Sequence, residues 1–144
     1  MANDLIPYKR PGDTVTGYAT SAVTGKRCVQ ISGAKTNEPG EGLATVTTGG
    51  GAYRIALPSG AGANGGAAKW IFGVARYDVA INKWGGVIRE GIVPITSSAA
   101  ITAGQALQCA ADGTVIPQTT GVLIGYACND CASGADCEVA LAIS

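Results

Sequence analysis

A chain of 144 residues with zero formal charge, 14% charged residues and 47% hydrophobic ones can bury a core, and neither self-repulsion nor a global basic footprint for nucleic acid is supported. It contains no histidine, which removes the commonest general base, the commonest neutral metal ligand and every Ser-His or Cys-His dyad. The zero charge hides a gradient: Lys9, Arg10, Lys26, Arg27 and Lys35 crowd the start, and beyond Arg89 come only Glu90, Asp112, Asp130, Asp136 and Glu138. Such asymmetry suits partner docking through complementary potentials, or simply marks a solvated surface.

The opening MANDLIPYKRPGD carries Asp4 and no apolar core of signal-peptide length, and no apolar run is long enough to span a bilayer. The expectation is a protein made and kept in the cytoplasm, with no membrane partner. Residues 1–16 place Leu5, Ile6, Pro7 and Tyr8 beside Lys9 and Arg10, the composition of a tail or of an extended arm that orders on a partner. Residues 17–144 read as a single β-rich domain. Short β-rich runs at 53–57, 69–75, 86–89, 92–95 and 139–143 are bounded by Gly, Pro, Asn and Asp. Residues 36–42 (TNEPGEG) and 59–68 (SGAGANGGAA) have the composition of loops. The best helical candidate, 96–107, holds Ser97, Ser98 and several alanines, but Gly104, Ile101 and Thr102 limit it to one or two turns. Asp112-Gly113 signals a hairpin between 107–110 and 114–116, with Pro117 marking the second strand as an edge.

An internal repeat is the most informative pattern. GVARYDVA at 73–80 aligns without gaps on GYACNDCA at 125–132, and Val87 then falls opposite Val139. A weaker third copy runs from Gly17 to Val29. Each copy reads as strand, polar turn, strand, with small residues allowing close strand approach and the Asp bonding its own backbone to start the turn.

The groups that could carry chemistry are few. Asp78 and Asp130 form a carboxylate pair, but equivalent turn positions explain both without a substrate. Cys128-x-x-Cys131-x5-Cys137, with Cys28 and Cys109 elsewhere, lacks the paired CxxC spacing of zinc sites and the βαβ context of redox motifs. Reduced, mostly buried thiols are expected, with no metal and no cofactor. The glycine-rich stretches at 47–51 and 59–66 lead into no phosphate-binding motif. Of the aromatic residues, Trp70 and Phe72 are assigned to the core, and Trp84, at an expected turn beside Asn82 and Lys83, is the candidate contact with another subunit or partner.

The order GYATSAVTGKRCVQISG, IFGVARYDVA, GGVIREGIVPITSSAAITAGQALQ, AADGTVIP and VLIGYACNDCASGADCEVALA resembles the capsid decoration, or cement, proteins of tailed bacteriophages, from about residue 14 to the end. The resemblance implies a non-enzymatic, mainly-β protein, a small β-tulip or barrel-like unit of repeated hairpins. It further implies a homotrimer at local three-fold positions on the outside of the expanded capsid, tying major capsid proteins together after synthesis in the host cytoplasm. The arm would contact the capsid through Leu5, Ile6, Pro7, Tyr8, Lys9 and Arg10. The cysteine-rich end departs from the family pattern. Rival readings are a tail-tube or fibre-associated virion module, a carbohydrate-binding β-domain with Trp70, Tyr77 and Trp84 as platform and Asp78 and Asn82 as polar partners, and a thiolate-metal protein.

Overall fold

A computed structural model describes residues 14–36, 52–58 and 71–143. These form ten strands: β1 (Thr14–Ala19), β2 (Cys28–Thr36), β3 (Ala52–Ala56), β4 (Ile71–Ala75), β5 (Trp84–Ile88), β6 (Ile92–Thr96), β7 (Ala106–Cys109), β8 (Val115–Pro117), β9 (Gly125–Ala127) and β10 (Asp136–Leu141). The all-β expectation is met, and no helix occurs among the described residues. The segment 96–107, allowed at most one or two helical turns, holds a strand end, two bridges and a strand start. Ile101 there exchanges backbone hydrogen bonds with Cys131, and the Ser97 hydroxyl donates to the Ala132 carbonyl. Pairing overrides local alanine propensity.

The first five strands close a barrel in the order β1-β3-β2-β4-β5, and the last five form a sheet in the order β6-β10-β9-β7-β8. The second unit repeats the first, register by register. Val15 faces Val87 between β1 and β5, as Val93 faces Val139 between β6 and β10. Val29 faces Gly73 between β2 and β4, as Leu107 faces Gly125 between β7 and β9. The parallel β1–β3 pair, which includes Ala19↔Ile55, shrinks to a single parallel bridge, Ser97↔Val115. The bridge Val23↔Val79 corresponds to Ile101↔Cys131. Even the left-handed turn positions coincide: Lys26 (φ 57°) with Gly104 (φ 84°), and Asn82 (φ 61°) with Gly134 (φ 85°). The sequence repeat is therefore one part of a duplicated five-strand unit, closed into a barrel in the first copy and an open-ordered sheet in the second, and the third copy is the β1–turn–β2 segment of the first.

The repeat's leading glycine is required by close approach. A Cβ on Gly73 would stand 2.5 Å from the Ile88 carbonyl oxygen and 2.6 Å from Val87 Cγ1. A Cβ on Gly125 would collide with the Ala140 carbonyl and stand 2.8 Å from Val139 Cγ1. The Asp112-Gly113 hairpin forms as expected between β7 and β8, with β8 last in the strand order. Asp112 Oδ1 accepts from both the N–H and the hydroxyl of Thr114. Pro94 is tolerated in β6 because that strand ends the order.

Two cores result. Val15, Ala19, Val23, Val29, Ile55, Phe72, Ala75, Val79 and Val87 fill the first barrel. The second core holds Val93, Ile95, Leu107, Cys109, Val115, Val139 and their neighbours, and includes Cys28, Ile71 and Val74 from the first unit. Strand β4 is the shared wall. All five of its residues are buried, with Phe72 and Ala75 on one core and Ile71 and Val74 on the other. Two boundaries differ from the sequence reading. Trp84 begins β5 rather than lying in a turn, and Thr14–Thr16, assigned to the arm, open β1.

Candidate functional site

The chemistry-bearing side chains are occupied with holding turns. Asp78 Oδ1 accepts the Gly25 N–H at 2.8 Å, and Asp130 Oδ1 accepts the Ala103 N–H at 2.7 Å. The two carboxylates are equivalent, as the repeat implies. Each bonds the facing turn of its own unit rather than its own backbone, which corrects the expected turn-starting role. They serve separate turns and make no acid–base pair.

The cysteines fall into two groups. Cys28 and Cys109 are buried where the two units meet, and a hydrogen bond between their thiols, with burial, raises the pKa of Cys109. Cys137 is also buried, whereas Cys131 is half-buried and Cys128 exposed, so the expectation of buried thiols fails at Cys128. Burial, then the neighbouring Cys131 and Cys128, pushes Cys137 up to about 12, and a thiol so shifted is a protonated packing group at neutral pH. Among the described residues no cluster of three His, Cys, Asp or Glu side chains is placed to hold a metal ion.

The surface carries what the interior does not. Trp84 is 40% exposed and meets Tyr18 edge to face, with ring centroids 5.5 Å apart. Tyr77 is exposed, and its hydroxyl accepts the Gly86 N–H. Phe72 is in the core, as assigned. On the second unit, Ile92, Ala140, Tyr126 and Ala106 lie in one row across β6, β10, β9 and β7, and residues in register across a sheet share a face. Ile92 and Tyr126 stand among the exposed large hydrophobic residues. Sequence reasoning passed over this row, although the repeat alignment had set Tyr126 opposite Val74. A large aromatic replacing a buried aliphatic residue was the available signal.

The arm residues Leu5, Ile6, Pro7, Tyr8, Lys9 and Arg10, the loops at 37–42 and 59–68, and Trp70 lie outside the described residues. Of the carbohydrate platform, Tyr77 and Trp84 are the described aromatic members, and both are exposed.

The model of the phage cement protein family matches residues 9–143. Among solved structures the chain is similar to the N base of the head fibre gp8.5 of bacteriophage phi29, with a TM-score of 0.59 and 19% identity over 92% of this chain and 95% of that one. At that identity the likeness concerns the fold. No curated protein matches the chain.

Proposed function

This chain belongs to the phage cement protein family, and from that premise we propose that it binds the outer surface of the expanded capsid and holds neighbouring major capsid proteins together. Membership makes it a structural protein of the phage virion. The observation that carries the finer reading is the extent of the match, which takes in both the closed barrel and the second five-stranded sheet rather than one of them. Support also comes from the full absence of histidine and from the turn-holding work of Asp78 and Asp130. The role needs no catalytic residue, cofactor or metal.

The mechanism is mass action. A protein that binds only the expanded shell stabilises that shell by its binding free energy, and closed symmetry repeats the effect over many sites. In this reading a homotrimer of the β-tulip-like unit sits at local three-fold positions, added in the host cytoplasm during assembly. The segment Leu5, Ile6, Pro7, Tyr8, Lys9 and Arg10 adds an extended strand to the capsid surface, with apolar anchors and two cationic contacts.

Purified protein mixed with expanded, undecorated capsids and with unexpanded proheads should cosediment with the former only. Equal coating of both, or of neither, overturns the reading. Deleting residues 2–12 should leave a folded protein that no longer coats capsids, and saturation of capsids by the truncated chain would dismiss the arm.

A further inference from the structure

The contact between the two units has two counterparts on the same molecule that face no other unit among the described residues. In that contact the outer wall of the first barrel presents Cys28, Val74 and Ile88, and the end of the second unit covers them. Thr96 N–H donates to the Lys26 carbonyl at 3.0 Å, and Cys28 N–H donates to the Gly113 carbonyl at 2.8 Å. Lys26 Nζ lies 2.6 Å from Asp136 Oδ2. Val74 is 2% exposed and Cys28 0%.

The shared register gives the matching positions. On the second unit's outer wall, Ala106, Tyr126, Ala140 and Ile92 take the places of Cys28, Val74, Ile88 and Thr14. That wall is uncovered, with Tyr126 47% and Ile92 65% exposed. At the end of the first barrel, Tyr18 and Trp84 take the places of Thr96 and Asp136; Tyr18 is buried at 8% exposure beneath Trp84, which carries the exposed surface. The charges have changed on both sides together. Lys26 corresponds to Gly104, and its partner Asp136 to Trp84. A contact between this wall and this end would therefore bury the exposed faces of Tyr126, Ile92 and Trp84 at the position where the internal contact holds an ion pair. It would strand neither charge of that pair.

We propose that the outer wall of the second unit, centred on Tyr126, Ile92, Ala140 and Ala106, docks the Tyr18–Trp84 end of the first barrel of a second copy of this chain. The internal contact is the template, since it shows what kind of surface covers a wall of this fold. Each copy offers one wall and one end, so the association is heterologous and closes into a ring when the rotation permits. Glu138, beside Pro94 in the next row of the same face, supplies a polar rim. The proposal shares self-association with the trimer reading above but does not depend on capsid binding.

Sedimentation equilibrium of the full chain, its Y126R and W84R variants and their equimolar mixture tests this, with thermal melts to check folding. The wild type should sediment as a closed oligomer and each variant at the mass of one chain. The mixture should form dimers, because Y126R keeps an intact end, W84R keeps an intact wall, and only one contact between them is whole. I92K, altered at the most exposed position of the row, repeats the test of the wall should Y126R fail to fold. A monomeric wild type overturns the proposal, as do wall variants that oligomerise like the wild type, or a mixture that stays monomeric. A monomeric wild type that coats capsids, beside a Y126R that does not, would assign the wall to the capsid protein instead. An oligomer that behaves as expected but ignores capsids would strike the capsid reading alone.

Discussion

Strands β4 and β9 occupy the same place in the two units, yet one is a shared interior wall and the other faces solvent. In β4, Val74 lies in the second core; in β9, its counterpart Tyr126 is exposed. Both satisfy the same ladder, since Val74 pairs with Ile88 as Tyr126 pairs with Ala140. Burying a side chain of Val74's size contributes about 2 kcal/mol, and only the first unit obtains this at that position within one chain. The antiparallel ladder at this position is thus duplicated, while burial of the outer wall is not. The second unit leaves exposed, at Tyr126 and Ile92, a wall whose counterpart the first unit buries.

The equivalence can be broken most severely at its glycines. Gly73→Ala and Gly125→Ala each force a Cβ into a strand carbonyl and a valine methyl, and each should cost about 3 kcal/mol by overpacking, read as a fall in urea midpoint. Tolerance of one but not the other would mean that the two units are held together by different rules. Next come the turn acids. Asp78→Ala and Asp130→Ala each remove the acceptor of one backbone N–H and should cost about 1 kcal/mol apiece, with the two losses alike. A silent Asp130→Ala would limit the device to the closed barrel.

The smallest effect belongs to the ion pairs of the contact. The hydrogen bond from Lys26, then that from Thr96, holds Asp136 below its usual carboxylate range. For Asp112, burial pushes upward, but hydrogen bonds from Thr114 and the nearby Arg27 outweigh it and the net shift is downward. A carboxylate depressed on folding contributes stability that is complete above its unfolded pKa of about 3.9 and is lost as pH falls through the folded value. Stability should therefore decline below about pH 4, and less so in Asp136→Asn. Because both pairs are solvent-exposed on at least one side, a double-mutant cycle of Lys26→Ala with Asp136→Ala should give a coupling under about 1 kcal/mol that shrinks with salt. A coupling that is large and insensitive to salt would mark the contact as electrostatic in origin rather than apolar.

The repeat at 73–80 and 125–132 was readable because it contains identities that local geometry demands: a glycine at a close strand approach and an aspartate at a facing turn. The wider duplication was not, because β1 and β6, TVTGYA and IVPIT, share inward-facing apolar positions and just one identical residue, Val15 and Val93. Trp84 was misplaced in a turn by its neighbours Asn82 and Lys83, whereas its pairing with Tyr18 puts it in a strand. The pairing of the 96–107 segment was unreadable for the same reason, since nothing in its alanines reports the distant backbone of Cys131.

The sequence alone determined the strand-and-turn rhythm, the Asp112-Gly113 hairpin and the poverty of acid–base chemistry, because alternation, turn preference and residue inventory are local properties of the chain. Only the tertiary structure decided which of two equivalent walls is buried, and hence where Trp84 and Tyr126 stand free. That outcome depends on how one unit lands on the other, a packing relation between positions far apart in sequence that no local pattern encodes.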